Sequence, residues 1–349
     1  MITAGSTAVC RPVEQTLEAP REPFPINIRM AQSLRELERV IPKCETHQSF
    51  VPVAEHLEAS GTVEPEAFAA YFSIIRSLLG NRNVDLAPLC SLIYRGRRPI
   101  TAQIAVRVLN SREFGNSGIH SVRKNFASTS LTARQMALIS KVAEPEIKRK
   151  ISAALCLIQV KAPHASSALF PITAEIVATV GVPRNGMDFD GCSSIERYGS
   201  ILLNMRRKRT RLVLAETIIH ESAHSLLFAL SCNDHRVLNS ASETYRSPLR
   251  IDPRPLDGIY HAVFVIARMY SFLAEIALNP ATSSRMRAEA CKLLPVRHRN
   301  FQDGLSVLVA HARLTPIGRE LLDDAVERVE RAADQVCAVF PEFKPRQVV

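Results

Sequence analysis

The sequence predicts a mainly α-helical protein with a small β-sheet placed just before one buried helix, an α+β arrangement. Three observations lead there. Hydrophobic residues make up 46% of the chain, but tryptophan is absent and aromatics reach only 6%, so the core rests on Leu, Ile, Val and Ala. That composition favours helices. Long stretches repeat their apolar residues every three to four positions, and between about 168 and 205 the text changes to short β-branched runs bounded by Gly and Pro.

Residues 1–28, with Pro12, Pro20, Pro23 and Pro25 and no clear period, read as a loose arm. Residues 29–165 read as a helical N-terminal region, a candidate for substrate docking. Within it, residues 65–79 place Phe68, Phe72, Ile75 and Leu79 on one face with Pro65 in the first turn. Runs 131–143 and 145–160 read as two further helices. Residues 166–349 form the region that carries the chemistry. Its opening segments, 169–183 and 193–204, read as strands, with a turn at 184–192. Helices then resume at about 211–231, 255–278, 283–294, 297–313 and 316–338, the last opened by Thr315 and Pro316.

The formal net charge of the 349 residues is +10. One dense run holds Arg206, Arg207, Lys208, Arg209 and Arg211, but no aromatic side chain interleaves with it. The stacking half of a nucleic-acid surface is therefore missing, and a solvated face or a dock for an acidic leader peptide fits better. Eight scattered cysteines without a CxxC pair argue against a zinc ribbon or a disulfide framework, and Cys156 and Cys232 read as small core residues. No stretch reads as long and apolar enough to span a bilayer, and the N-terminus lacks the apolar core of a signal peptide, so the expected location is cytoplasmic.

The chemistry concentrates in RLVLAETIIHESAHSLLFALS, a segment apolar on nearly every side and hence buried. Histidines and a glutamate inside such a helix are costly without partners. His220 and His224 lie four apart, one turn above each other, so both imidazoles can converge on one ion with Glu221 beside it. The pattern is compatible with a zincin-like active-site helix. A third ligand is needed, and the residues leave three candidates: Glu243, eighteen positions after His224; His261, on the next apolar helix; and Asp252 between them. Asp257, one turn before His261, can orient that ring or simply favour a helix N-terminus. In YRSPLRIDPRPLDG three prolines forbid regular helix, leaving Arg246, Arg250 and Arg254 on a stiff loop whose guanidinium forks suit carboxylates.

HESAH followed by Ser247, Pro248, Arg250, Asp252, Pro253, Arg254, Pro255, Gly258 and His261 resembles the HEXXH-motif family of peptide-modifying proteins found with ribosomally made peptide natural products. The resemblance is specific over roughly 195–270 and loose elsewhere. It implies an iron(II)- and 2-oxoglutarate-dependent peptide β-hydroxylase. His220 and His224 would hold the iron and His261 would be the favoured third ligand, with Glu243 or Asp252 as alternatives. Arg250 or Arg254 would grip a carboxylate of 2-oxoglutarate, and Glu221 would orient groups on the iron. The partner implied is a precursor peptide, with or without a leader, rather than nucleic acid or membrane. Two rival readings follow from the same residues. One is a zinc metallopeptidase of gluzincin type, with Zn(II), Glu221 as general base and Glu243 completing the site. The other is a non-catalytic peptide-binding module.

Overall fold

A computed structural model describes residues 22–41, 49–80, 85–99, 103–127, 132–183, 188–232, 234–247 and 252–341. The protein is mainly helical with small sheets. In chain order the helices are α1 (Pro25–Val40), α2 (Val51–Glu58), α3 (Pro65–Leu79), α4 (Ala87–Arg95), α5 (Ser111–Phe126), α6 (Glu144–Lys161), α7 (Pro163–Leu169), α8 (Arg211–Ser231), α9 (Leu256–Leu278), α10 (Ser284–His311) and α11 (Pro316–Val339). The strands are β1 (Thr62–Val63), β2 (Arg97–Arg98), β3 (Ala105–Val108), β4 (Met136–Ala137), β5 (Glu175–Gly181), β6 (Gly191–Ser193), β7 (Ser200–Asn204), β8 (Thr244–Tyr245) and β9 (Arg254–Pro255).

The main sheet runs in the order β3-β5-β7-β6, with β4 paired to the end of β5. Strands β3, β5 and β7 are parallel, whereas β6 pairs antiparallel with β7. Because successive side chains alternate between faces, Ile176, Ala178, Ile201 and Leu203 enter the main core while Val177 and Leu202 enter a smaller one. The smaller core is closed by Ile119, Val122 and Phe126 of α5. Parallel strands covered on both faces read as continuous apolar runs, which is why ITAEIVATV and SILLN were visible in the sequence. Strand β3 precedes residue 166 and β5 follows it, so the sheet joins the two sequence regions.

Several expectations are corrected. The arm ends earlier than residue 28, since α1 begins at Pro25; residues 1–21 lie outside the described ones. The expected helix at 131–143 is instead a capped turn, in which Thr132 and Gln135 bond reciprocally, followed by β4, whose Ala137 carbonyl accepts from the Thr179 hydroxyl. On α3 the large buried side chains are Phe68 and Ile74, while Leu79 is 82% exposed. Helices expected at 283–294 and 297–313 are one continuous α10 running through Pro295. Burial of Leu294 and His298 on either side outweighs the lost backbone bond. Helix α9 is long and apolar enough to cross a membrane, contrary to the expectation that no segment is, and 72% of its most apolar window is buried inside the protein. It packs against α8, α10 and α11.

Candidate metal centre

Helix α8 is set at both ends. The Thr210 hydroxyl accepts from the Val213 N–H at 3.2 Å, and Cys232 closes the helix in a left-handed conformation with φ 42°. Between these caps Leu212, Ala215, Ile218, Ile219, Ala223 and Leu227 are buried, so the helix cannot rotate without exposing core. The four-residue spacing of His220 and His224 brings their ring centroids to 5.0 Å. His261, in the second turn of α9, lies 5.7 Å from His224, and Phe228 sits 6.0 Å from His261. The side chains of His220 and His261 stay 29% and 18% exposed, so solvent reaches the cluster.

Burial sets the charge state of these groups. It pulls His220 down to about 4, helped by the Arg297 guanidinium and opposed by Asp190. It pushes His224 well below the usual imidazole range, with His220 and His261 adding to the effect. Burial likewise lowers His261 to about 4, against the opposing charge of Asp257. All three rings are therefore neutral at pH 7 and each keeps a lone pair. Glu221 is driven the other way: burial raises it to about 8 despite a hydrogen bond with Ser193. Gly191 on β6 makes room for it, since a Cβ there would stand 2.7 Å from Glu221 Oε1.

Neighbours outside the HESAH run set ring orientation. Met269 Sδ lies 3.3 Å from His220 Nδ1. A thioether cannot donate, so Nδ1–H donates to it and the Nε2 lone pair remains, 3.9 Å from Glu221 Oε1. One turn before His220, buried Glu216 accepts a fork from Arg297 at 2.7 and 3.1 Å, tying α8 to α10. Arg236 donates to Ser231 Oγ at 2.6 Å, Asp257 Oδ1 at 2.9 Å and His261 Nε2 at 2.8 Å. Met269 reads in sequence as an ordinary core residue, and Arg236 stands in a loop without periodicity. No sequence signal pointed to either.

The structure brings together His220, Glu221, His224, His261 and Asp257. Asp257 sits in the first turn of α9 with Oδ2 3.6 Å from His261 Nε2, beyond hydrogen-bond reach, and meets that ring only through Arg236, whose guanidinium donates to both. The other candidates are engaged by different partners. The Glu243 carboxylate accepts from Asn239 at 3.2 Å, the Ser240 N–H at 3.3 Å and the Tyr245 hydroxyl at 3.4 Å, all within its own turn. Asp252 pairs with Arg254 at 2.8 Å. Arg250 lies outside the described residues. In the basic run, Arg206, Arg207 and Arg209 pair with Asp188 or Asp190 rather than forming a purely solvated face.

Among the described residues, no group of three or more His, Cys, Asp or Glu side chains is arranged to hold a metal ion. No family model matches the chain, and no curated protein matches it. The donor chemistry on α8 nonetheless suits a divalent transition metal. His220 and His224 are neutral imidazoles one turn apart, and imidazole suits zinc and iron alike. His261 is of the right type and adjacent, but its Nε2 lone pair accepts from Arg236, because a guanidinium has only donors to offer.

Proposed function

We propose that the chain is an iron(II)- and 2-oxoglutarate-dependent hydroxylase acting on the β-carbon of a residue in a ribosomally made precursor peptide. The observation that carries this reading is the pair of neutral imidazoles on buried α8 with a third, the partly exposed His261, beside them. Such a set holds a divalent ion with few protein ligands and leaves positions for a bidentate keto acid and for dioxygen. Bound iron(II) with 2-oxoglutarate and dioxygen supplies C–H hydroxylation, one oxygen atom entering the peptide and the other entering succinate as carbon dioxide leaves.

The chain's own residues do the rest. His220 and His224 would hold the ion, and Met269 engages His220 Nδ1 and so leaves Nε2 as its free nitrogen. Glu221 keeps a proton on its carboxyl at neutral pH before metal arrives, and so can donate a hydrogen bond into the site. Arg254 offers a guanidinium to a keto-acid carboxylate by exchanging its Asp252 partner, with Arg250 of the same loop as the alternative that the family resemblance carries.

The closeness of Glu221 to His220 also supports a second reading, a zinc peptidase in which that carboxylate activates water. The engagement of Glu243 within its own turn weighs against it. The deciding experiment incubates anaerobically purified protein with iron(II), 2-oxoglutarate and the candidate precursor peptide, then admits oxygen. A mass gain of one oxygen atom with matching succinate supports hydroxylation. Two peptide fragments would replace it with the peptidase reading, and a bound but unchanged peptide with a binding module. His224→Ala should lose both bound metal and turnover.

A further inference from the structure

We propose that Arg236 is a latch on the third imidazole: its guanidinium holds the His261 Nε2 lone pair in the metal-free protein, and a divalent cation seated on His220 and His224 gains its third protein ligand only when that hydrogen bond gives way. The inference rests on the metal-centre reading above.

Four observations lead to it. First, direction: Arg236 Nη2 stands 2.8 Å from His261 Nε2 and can only donate, so Nε2 is the acceptor and Nδ1 carries the ring proton. The nitrogen able to bind metal is the one already engaged. Second, the guanidinium keeps other partners if it lets go. Ser231 Oγ and Asp257 Oδ1 accept from it at 2.6 and 2.9 Å, and Asp257 is half exposed, so its carboxylate can follow a small movement. Third, the present pose leaves Arg236 Nε buried without an acceptor, which means that the guanidinium is not fully satisfied where it stands. Fourth, the movement is confined to the side chain. The Arg236 carbonyl accepts from the Thr315 N–H at 3.0 Å, and a Cβ on Gly318 would come within 2.2 Å of that carbonyl, so the backbone is pinned against the start of α11.

The consequence is a two-stage uptake. A cation meets two ready imidazoles on one helix and one guarded imidazole on another. The guard is itself a positive charge, so it opposes the cation by repulsion as well as by holding the lone pair. Metal would therefore gain His261 only after Arg236 has turned fully to Asp257 and Ser231.

The test measures zinc and cobalt(II) affinity by competition with a chromophoric chelator, with cobalt d–d absorption reporting coordination. Arg236→Met should bind either ion tenfold or more tightly than wild type, roughly the worth of one charge-assisted hydrogen bond. His261→Ala should erase that gain. Unchanged or weaker binding in Arg236→Met, with wild type still binding through His220 and His224, overturns the latch and leaves the metal-centre reading standing. Failure of wild type to bind either ion removes that reading and the latch with it. Should Arg236→Met not fold, imidazole nitrogen-15 spectra of wild type decide. Zinc should shift His261 Nε2 from hydrogen-bonded to metal-bound while Nδ1 keeps its proton, whereas a His261 signal that stays still as His220 and His224 respond overturns the proposal.

Discussion

The sharpest physical consequence of this site concerns pH in the metal-free protein. Glu221 ionises near 4.5 when exposed and near 8 in the fold, chiefly because its carboxylate would be stripped of water. Between those limits the native state holds a proton that the unfolded chain has released. A raised carboxyl therefore contributes fully at low pH, and its contribution is lost as pH climbs toward 8. The slope is about 1.4 kcal/mol per pH unit, or about 2 kcal/mol between pH 6.5 and 8. The histidines act in the opposite sense. His220 and His261 titrate near 4 in the fold and near 6.5 outside it, so they favour the native state increasingly as pH rises from about 4 to 6.5. His224 is lowered too and adds to that limb. Stability of the chelator-treated protein should thus peak near pH 6.5 to 7. In Glu221→Gln the amide cannot ionise, so only the alkaline limb should vanish, and the variant should gain about 2 kcal/mol on wild type between pH 6.5 and 8. Urea midpoints at half-unit intervals from pH 5 to 8.5 measure this directly. Parallel curves for the two proteins across that window would refute the buried, protonated Glu221. Adding zinc to wild type should flatten the same limb, because a nearby cation favours the carboxylate.

Two further outcomes are expected. Met269→Leu preserves volume but removes the acceptor of His220 Nδ1–H, so metal affinity should fall about 10-fold or more. Its unfolding free energy in urea should change by less than about 1.5 kcal/mol. Glu175→Ala strips Arg197, 1% exposed, of the carboxylate that accepts at 3.0 and 2.8 Å. Glu66 still holds that guanidinium at 2.8 Å, so denaturant unfolding should show a loss near the lower end of about 3–5 kcal/mol.

The fold class was legible because the elements that define it carry strong local signals. Thr315 caps α11 through its side chain, as its position before Pro316 implied. Strands β5 and β7 stood out as apolar β-branched runs between Gly and Pro. The misreadings share one cause, tertiary context overriding a local period. Met136 and Ala137 complete a sheet edge that nothing nearby in the chain announces, and Pro295 is carried through a helix whose flanking residues are buried. On α3 the reading placed Phe68 correctly but took Ile75 and Leu79 for the inner face, where Ile74 is buried and Leu79 is exposed. The contacts of α3 run to α4 on one side and to the turn at Ile195–Arg197 on the other.

The site divides along the same line. The spacing of His220, Glu221 and His224 is a local fact of one helix and is readable from five letters. The groups that decide whether those five letters bind an ion come from elsewhere in the chain. Met269 reaches His220 from 49 residues away, and Arg236 reaches His261 from 25. Arg297 anchors Glu216 across 81. Each is an ordinary residue of its own segment, and acquires its role only when α8, α9 and α10 pack. A motif of this kind specifies where a cation can sit, whereas its long-range neighbours set whether the lone pairs are free to receive one. In this chain they leave His220 ready and His261 engaged, so affinity for metal should respond more to Arg236, a residue no motif contains, than to any substitution among the apolar residues that bury the two α8 histidines.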